Sequence, residues 1–351
     1  MFFLDEEYFQ KQSVPLSMMS QSLRRLGQYQ GQQALLQHQR PQLIKTLKEI
    51  AIIQSSESSN RIEGINVDPK RLDKILNNKL KPENRSEAQV LGYRNVLSRI
   101  HNRYQEFKIS PEMILQMHKD MLKYTDIDGG AWKRTDNVIE ERLPNGNWVT
   151  RFSPTSAVET PAYMQELCQR FNRLWAQSSI DQLVIAFAFI FDFLCIHPFT
   201  DGNGRVSRLL TVLLLHKMNI DITRYISYER LVEETKESYY QILRDVSQDW
   251  HRGQHHLLPW IEYNIGLLIA GYKELDERIN VLDFEKGSKT HWVLEMVDDL
   301  PEEFSIGELV HLCPGVSRPM IRHILETLRK ENKLISLGTG RSAKWQKVSK
   351  G

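Results

Sequence analysis

The sequence predicts a mainly α-helical protein with a β-hairpin near its middle and a small helix-and-hairpin domain at its end. Apolar residues recur at helical spacing along most of the 351 residues. An Asn-Gly pair at 145–146 separates two extended runs, and the tail after residue 289 changes in character. The predicted helices cover residues 41–63, 86–107, 111–123, 157–177, 181–196, 203–217, 229–248 and 258–282.

Two of these helices have informative sequences. Pro41 suits a first helical turn, where its missing N–H costs nothing, and Gly64 suits the position after a last turn. The helix over 181–196 contains a fourteen-residue apolar run, Leu183–Ile196, which includes Asp192. Because this run is too short to span a membrane, we expect a helix that is buried on all sides.

The segment after the buried helix carries the candidate chemistry. It reads His197-Pro198-Phe199-Thr200-Asp201-Gly202-Asn203-Gly204-Arg205-Val206-Ser207-Arg208. An amphipathic helix begins within it, so the glycine-rich turn lies at a helix N-terminus. Free N–H groups and the helix dipole favour an anion at that position. The segment therefore predicts a phosphate site with a possible base beside it.

Each polar residue of this segment has a chemical use. Its glycines let the backbone approach a phosphate closely, and Arg205 and Arg208 can donate paired hydrogen bonds to phosphate oxygens. Asp201 is a hard oxygen ligand suited to Mg²⁺, and His197 can accept a proton near neutral pH. Taken singly, each residue is more often structural than functional, but their joint arrangement at one helix start favours a site.

The segment resembles the signature of Fic-domain proteins, His-x-Phe-x-(Asp/Glu)-Gly-Asn-Gly-Arg-x-x-Arg, at every specified position. The resemblance implies transfer of AMP from ATP to a protein hydroxyl. It makes His197 the general base and Asp201 the Mg²⁺ ligand. It places Arg205 near the β-phosphate and Arg208 at the γ-phosphate. The residues that it assigns to ATP or phosphate binding are Asp201, Gly202, Asn203, Gly204, Arg205 and Arg208. The kinase-like Doc branch carries Lys where this chain has Gly204, which favours adenylyl over phosphoryl transfer.

A second resemblance lies upstream. Ser59-Asn60-Arg61-Ile62-Glu63-Gly64 is similar to the family's inhibitory pattern, (Ser/Thr)-x-x-x-Glu-(Gly/Asn). The same residues also fit an ordinary helix end with a glycine cap. The resemblance implies that Glu63 reaches Arg208 and takes the place of the γ-phosphate, so that ATP binds unproductively. It makes Ser59, Glu63 and Gly64 an inhibitory motif that acts within the same chain.

The third element is the predicted hairpin. Asn145-Gly146 favours the turn type that matches the twist of two antiparallel strands. The hairpin can be an ordinary surface hairpin. By resemblance it is the family's flap, which binds a target by pairing with the target's backbone as an added strand. The residues placed where the flap meets the site are Val149, Thr150 and Arg151. Ser153-Pro154-Thr155 departs from the family's frequent double proline.

Two features lie downstream of the signature. Tyr239-Tyr240 resembles the family's Tyr-Tyr pair that borders the nucleotide base, and core packing is an equally good interpretation of either tyrosine. Many relatives carry Asn eight positions after the first tyrosine, where this chain has Ser247. The clustered His251, His255 and His256 lack Cys or carboxylate partners at ligand spacing, so we interpret them as a solvated turn.

The tail resembles a winged helix-turn-helix. Ser317 is a good N-cap and Pro319 suits the first turn of a helix with one apolar face. Leu334–Leu337 then turns through Gly338–Gly340 into a second strand. From Ser317 onward the chain has nine Lys or Arg against two acidic residues, the asymmetry that contacts with a nucleic-acid backbone need. DNA binding, protein docking and dimer contact all stay open for this domain.

The resemblance organises the chain into four parts. Residues 1–107 form an N-terminal helical region with the inhibitory motif at 59–64, and residues 108–250 form a Fic-type catalytic core. Residues 251–285 supply a trailing helix and linker, and residues 286–351 the winged helix-turn-helix. The predicted fold class is thus a Fic-type helical bundle with a β-hairpin flap and a C-terminal winged helix.

Composition indicates an ordinary cytoplasmic enzyme. The net charge of +2 is too small to imply nucleic acid or membrane by itself. Three widely separated cysteines argue for free thiols in a reducing compartment. Asp5, Glu6 and Glu7 are the opposite of a secretory leader, and we expect no membrane span.

The sequence therefore predicts a protein adenylyltransferase that uses ATP and Mg²⁺, modifies a Ser, Thr or Tyr hydroxyl of a target protein or of itself, and is autoinhibited by Glu63. Two alternatives stay open. The same site could remove AMP or transfer another phosphate-linked group. The chain could also be a DNA-binding regulator whose Fic domain senses a nucleotide. A homodimer is left open.

Overall fold

The computed structural model describes residues 20–39, 41–76, 80–142, 146–177, 180–312, 317–337 and 344–348. Its α-helices are α1 (Ser20–Gln39), α2 (Pro41–Ile62), α3 (Pro69–Leu76), α4 (Arg85–Arg103), α5 (Pro111–Leu122), α6 (Thr160–Gln177), α7 (Gln182–Ile196), α8 (Asn203–Lys217), α9 (Tyr228–Glu234), α10 (Lys236–Ser247), α11 (Leu258–Asp299), α12 (Ile306–Leu312) and α13 (Arg318–Lys330). Its strands are β1 (Ile139–Arg142), β2 (Trp148–Phe152), β3 (Glu303–Ser305), β4 (Leu334–Leu337) and β5 (Lys344–Lys347). The mainly α-helical fold class is confirmed.

The chain divides into two compact units, residues 1–274 and residues 275–351. In the first unit the core is built around α7, in which every residue of Leu183–Ile196 is buried. Asp181 caps the helix by accepting a hydrogen bond from the Leu183 N–H at 2.8 Å. Helix α7 packs against α6 and α8, and α8 packs against α4. The expected all-round burial of this helix is confirmed.

Helix α2 packs against α4 and α9. It begins at Pro41 and ends at Ile62, and Gly64 follows with φ of 80°, a left-handed value that stops a helix. The last turn of α2 also contacts α8, because Ser59 accepts a hydrogen bond from Arg208. This placement brings the N-terminal region to the signature segment.

The predicted hairpin is confirmed. Strands β1 and β2 pair antiparallel, with Arg142 opposite Trp148 and Ile139 opposite Phe152. Gly146 has φ of 87°, in the region that glycine favours in tight turns. Asn145 of the predicted turn lies outside the described residues.

Two predictions were wrong in detail, and two helices were missed. The helix expected over 229–248 is two helices, because Thr235 interrupts α9 and α10. The polar segment 285–289, expected as a linker, lies inside α11, since Glu285, Lys286 and Lys289 are good helix formers and outweigh Gly287. The helices α1 and α3 were not predicted.

The second unit has its own small core. Strands β3, β5 and β4 form a three-stranded antiparallel sheet in that order. Helix α13 buries Ile321, Ile324, Leu325 and Leu328 in this core. The expected helix and hairpin are present, and the turn Gly338–Gly340 lies outside the described residues. The assignment of this unit as a winged helix stays a prediction.

Cys168 and Cys195 are buried free thiols, and burial raises the pKa of each. Within the described residues, no helix combines the length and the apolar character that crossing a bilayer requires.

Candidate functional site

The signature loop connects the end of α7 to the start of α8. His197 is the C-cap of α7 with φ of 51°, an uncommon left-handed conformation for a residue with a Cβ. Gly202 is the N-cap of α8 with φ of 89°. Between them, the side-chain amide of Asn203 accepts from the Phe199 N–H at 2.9 Å and donates to the Phe199 carbonyl at 2.7 Å. These bonds hold the loop in a tight, defined path.

The imidazole of His197 has one nitrogen engaged. Its Nδ1 lies 3.2 Å from the Leu194 carbonyl, which can only accept, so Nδ1 carries the proton and Nε2 keeps its lone pair. Burial lowers the pKa of His197 to about 4, the Leu194 carbonyl opposes this shift, and the charge of Lys133 adds to it. At neutral pH the ring is therefore a neutral base.

The start of α8 offers donors to an anion. Arg205 is 1% exposed, and its Nη2 donates to Asp201 Oδ1 at 3.0 Å. Its Nε and Nη1 are buried, and neither has a hydrogen-bond partner among the described residues. Unused buried donors are costly, and an anionic ligand would satisfy them.

Asp201 is the candidate metal ligand. Its side chain is 49% exposed, and Arg85 of α4 lies 3.8 Å from Oδ2. Within the described residues, no group of three or more His, Cys, Asp or Glu could hold a metal ion. A single carboxylate suits Mg²⁺ when substrate phosphates supply further oxygen ligands, and the residues present fit that arrangement.

Arg208 joins the signature helix to α2. Its Nε donates to Ser59 Oγ and its Nη2 to the Ser59 carbonyl, both at 2.8 Å. The same Nη2 donates to Glu63 Oε1 at 2.7 Å. Gly204 permits this approach, because a Cβ there would lie 2.2 Å from Glu63 Oε1. The structure thus brings the predicted inhibitory residues Ser59 and Glu63 onto Arg208.

A buried network lies close to Arg208. The Tyr93 hydroxyl donates to Glu229 Oε1 at 2.8 Å, and neither side chain is exposed. Burial raises the pKa of Tyr93, Glu229 adds to the shift, and Arg208 opposes it. Sequence reasoning missed both residues, because a lone Tyr and a lone Glu in helical segments give no local signal.

The end of α2 is held from α9 and α10. Arg61 donates to both Glu233 oxygens, at 2.7 and 2.9 Å, and also pairs with Glu57. Lys236 Nζ donates to the Ile62 carbonyl at 2.7 Å, which satisfies an acceptor left open at the helix end. These contacts fix the position of the Glu63 backbone.

A cavity of about 450 Å³ opens beside this cluster. It is lined by Glu63, Ile139, Glu140, Arg151, Phe152, Leu194, Cys195, His197, Gly204, Arg208, Tyr239, Tyr240, Leu243, Arg244 and Ser247. His197, Arg208 and the β1–β2 hairpin therefore face the same cavity. Its volume and its mixture of aromatic and charged walls suit a small anionic ligand.

The remaining predicted residues lie in different places. Tyr239 lines the cavity, and it also packs on Trp260 with ring centroids 5.6 Å apart. Arg151 faces the cavity from β2, while Val149 is half-buried and Thr150 is exposed on the same strand. Gly64 is exposed beyond the end of α2.

The interpretation of the histidine cluster as a solvated turn was wrong for one member. His255 is 4% exposed and its ring stacks with Phe191. His251 is exposed, and its Nε2 lies 2.8 Å from the Ser153 carbonyl at the base of the hairpin. Burial of His255 follows from its contact with Phe191 of α7, which is distant in sequence and which the local sequence therefore does not show.

Known proteins share this fold and this sequence segment. Residues 108–215 match the model of the Fic/DOC family. The chain is 28% identical over 187 residues to the protein adenylyltransferase Fic of Drosophila persimilis, across 51% of this chain and 34% of that protein. It is 28% identical over 203 residues to the protein of the same name from Drosophila willistoni, across 55% of this chain and 38% of that protein. The chain thus spans little more than a third of the curated relatives' length.

Solved structures agree on the fold. A Fic family protein from Desulfovibrio desulfuricans G20 superposes with a TM-score of 0.65 at 17% identity, over 95% of this chain and 96% of that chain. Fic-1 from C. elegans superposes with a TM-score of 0.58 at 20% identity, over 78% of this chain and 76% of that chain. The helical bundle, its hairpin and its glycine-rich helix start define a protein of the Fic fold. Residues 108–215 match the Fic/DOC family model and so form a Fic domain within this chain.

Proposed function

We propose that this chain is a protein adenylyltransferase that moves AMP from ATP to a Ser, Thr or Tyr hydroxyl of a target protein or of itself. We propose further that Glu63 inhibits it within the same chain. The supporting observation is the place of the Glu63 carboxylate. Its Oε1 is 2.7 Å from Arg208 Nη2 and lies close to Gly204. At this point the backbone N–H groups at the start of α8 can donate to a phosphate.

In the proposed reaction His197 is the general base. Its free Nε2 takes the proton of the target hydroxyl as that oxygen attacks the α-phosphorus of ATP. The new oxygen–phosphorus bond forms while the bond from the α-phosphorus to the bridging oxygen breaks, and pyrophosphate leaves with the electron pair. Arg205 and Arg208 stabilise the charge of the leaving group.

Asp201 would hold Mg²⁺ together with the phosphates of ATP. The ion would neutralise part of their negative charge when it is bound. Arg205 keeps the Asp201 carboxylate in place through its 3.0 Å bond, and Arg85 lies on the other side of that carboxylate. The backbone N–H groups of Asn203 and Gly204 complete the proposed anion site.

Inhibition follows from competition for one guanidinium. A carboxylate on Arg208 occupies donors that a γ-phosphate would use, and its charge repels the nucleotide. ATP that binds beside Glu63 is displaced from the in-line geometry that attack requires. The contacts from Arg61 and Lys236 hold the end of α2 where Glu63 can do this.

The test is labelling with ATP that carries a radioactive α-phosphate, in the presence of Mg²⁺. Wild type, Glu63→Gly and the double variant Glu63→Gly with His197→Ala are incubated alone and with a lysate. We expect strong labelling only from Glu63→Gly. Glu63→Gln is labelled in the same way, and Glu49→Gln, an exposed change of the same kind within α2, is its matched control. Failure of Glu63→Gly to label any protein, itself included, while it still binds ATP, contradicts the proposal.

Intact mass of the modified protein separates the alternatives at the same site. An adduct with the mass of AMP supports adenylylation, and a different adduct identifies transfer of another phosphate-linked group. Loss of AMP from a pre-modified target, dependent on Glu63, identifies removal instead. A homodimer stays a prediction.

DNA binding by the second unit is a second candidate function. Helix α13 buries its apolar face and exposes Arg318, Arg322, His323, Arg329 and Lys330. A basic helix face of this kind suits a nucleic-acid backbone. Duplex DNA should then bind with an affinity that falls steeply with salt, and Arg318→Glu with Arg322→Glu should abolish it while His197→Ala should not. Binding that is unchanged by the arginine substitutions contradicts this candidate.

A further inference from the structure

The backbone of the signature loop is held from outside the signature. Three carbonyls around His197 accept hydrogen bonds from one upstream stretch, residues 133–137. The Lys133 N–H donates to the Pro198 carbonyl at 2.8 Å, and Lys133 Nζ donates to the Ile196 carbonyl at 3.1 Å. Asn137 Nδ2 donates to the Phe199 carbonyl at 3.2 Å.

Lys133 is unusual among these residues because its ammonium is buried. The side chain is 3% exposed, and its second acceptor is Asn137 Oδ1 at 2.8 Å. Both acceptors of Nζ among the described residues are neutral oxygens, so within that part of the chain no carboxylate is in hydrogen-bond contact with the ammonium. Burial lowers the pKa of Lys133 to about 8, and the charge of Asp136 opposes that shift. A buried cation in this setting costs stability, which argues for a use beyond packing.

The first consequence concerns geometry. The Ile196 carbonyl lies at the C-terminal end of α7, where a helix presents open acceptors and the negative end of its dipole. His197 then adopts its left-handed φ of 51°, a conformation that persists only when the surroundings impose it. Lys133 binds the backbone on both sides of His197, so it imposes that conformation and aims the ring.

The second consequence concerns charge. Lys133 disfavours the protonated form of His197, whereas Glu63 favours it. The other charged side chains that line the cavity around His197 are Glu140, Arg151, Arg208 and Arg244. Among these groups Lys133 is the one that also holds the backbone of the base.

We propose that Lys133 is a positioning residue for the transfer reaction: it fixes the backbone at 196–198 so that Nε2 of His197 faces the cavity, and its charge adds to burial in disfavouring protonation of the imidazole. The kinetic part of this inference rests on the proposed function. The titration of His197 does not, because it can be measured without turnover.

The experiment uses the full chain in the Glu63→Gly background. Lys133→Gln removes the charge and keeps a donor, and Lys133→Arg keeps the charge in a different shape. Lys108→Gln, an exposed lysine of the same domain, is the matched control. For each variant, kcat and the KM for ATP are measured across the acid range. The His197 ring is titrated by NMR with labelled histidine and assigned by loss of its signal in His197→Ala.

Three results are expected. Lys133→Gln raises the midpoint of His197 titration and of the acid limb of kcat by at least several tenths of a pH unit, since a positive charge beside the base has been lost. It lowers kcat by about tenfold or more through misplacement of the base. Its KM for ATP stays within about twofold, because Lys133 lies behind the loop and not among the residues that line the cavity. Lys133→Arg keeps the parent midpoint, and Lys108→Gln keeps every parent value.

Other results overturn the inference. An unchanged His197 midpoint in Lys133→Gln removes the role of the charge. Equal losses of kcat, ATP affinity and thermal stability in both Lys133 variants indicate a merely structural lysine. If Glu63→Gly labels no protein, the proposed function fails, and the NMR titration of His197 still decides the inference about Lys133.

Discussion

Glu63 and Arg208, 145 residues apart in sequence, meet at 2.7 Å between Oε1 and Nη2. The two partners differ in burial, because the Arg208 side chain is 3% exposed and the Glu63 side chain is 31% exposed. Ser59 holds the buried partner through two further bonds. An anion that enters from the cavity can therefore replace the carboxylate while the guanidinium stays in place.

This asymmetry predicts how Glu63→Gln responds to nucleotide. The variant loses a charge-assisted hydrogen bond to a buried arginine, so we expect a lower Tm, with a loss of stability of about 1 to 3 kcal/mol. Mg²⁺ and ATP should raise the Tm of Glu63→Gln more than that of wild type, because the phosphates restore an anion at Arg208 without competition. Differential scanning fluorimetry with and without ATP measures both effects. An equal rise of Tm in the two proteins would contradict replacement of the Glu63 carboxylate by the phosphates at Arg208.

The contact that holds α2 gives a graded prediction. Lys236→Met removes the donor to the Ile62 carbonyl but leaves Glu63 and the Arg61–Glu233 pair intact. A partly exposed contact of this kind is worth about 1 kcal/mol, so Glu63 should release Arg208 more often. We expect α-phosphate labelling above wild type and below Glu63→Gly. Lys70→Met, in α3, is the control and should match wild type; labelling by Lys236→Met at the wild-type level would show that the contact does not restrain α2.

Much of the fold was visible in the sequence where a local rule had no strong competitor. Pro41 and Gly64 marked both ends of α2, and the run Leu183–Ile196, apolar except for Asp192, predicted a buried helix. The break at Thr235 and the passage of α11 through Gly287 could not be read in this way. At Gly287 the neighbouring helix formers outweighed the glycine. At Thr235 the side-chain hydroxyl bonds to the Leu231 carbonyl and to the Tyr263 hydroxyl of α11, a partner that the local sequence does not show.

The residues of the candidate site were likewise predictable only where a local motif contained them. Glu63 and Arg208 could be paired in advance because each belongs to a motif with its own spacing. Three other residues could not be predicted, because their hydrogen-bond partners lie 63 residues away for Lys133 and 136 residues away for the pair Tyr93 and Glu229. No rule of local spacing identifies such pairs. These residues surround the motif, hold its backbone or line its buried side, and become visible only when distant helices are in contact.

Removal of the candidate metal ligand should separate binding from chemistry. In the Glu63→Gly background, Asp201→Asn keeps the size of the side chain and its contact with Arg205, but it loses the charge that suits Mg²⁺. We expect labelling to fall by about a hundredfold or more. Raised Mg²⁺ should restore part of the activity, because weakened binding can be overcome by concentration. Calorimetric titration with ATP in the presence and absence of Mg²⁺ checks the cause. ATP affinity that gains from Mg²⁺ as strongly in Asp201→Asn as in its parent would exclude Asp201 as the ligand.

Acid should destabilise the first unit through its buried histidines, and His255 offers the cleanest test. Burial lowers the pKa of His255 to about 4, and His256 adds to the shift, whereas the ordinary value is 6.5. Between these two pKa values the unfolded chain binds a proton that the folded chain does not. The stabilisation is thus complete above pH 6.5 and is lost as the pH falls towards 4, by up to about 1.4 kcal/mol per pH unit.

His255→Phe keeps the ring against Phe191 and removes the titration. Urea unfolding at pH 7, 6 and 5 should show a shallower loss of stability in His255→Phe than in wild type, and an unchanged slope in His323→Gln, which alters an exposed histidine of the second unit. Equal slopes in wild type and His255→Phe would show that folding does not shift the pKa of His255.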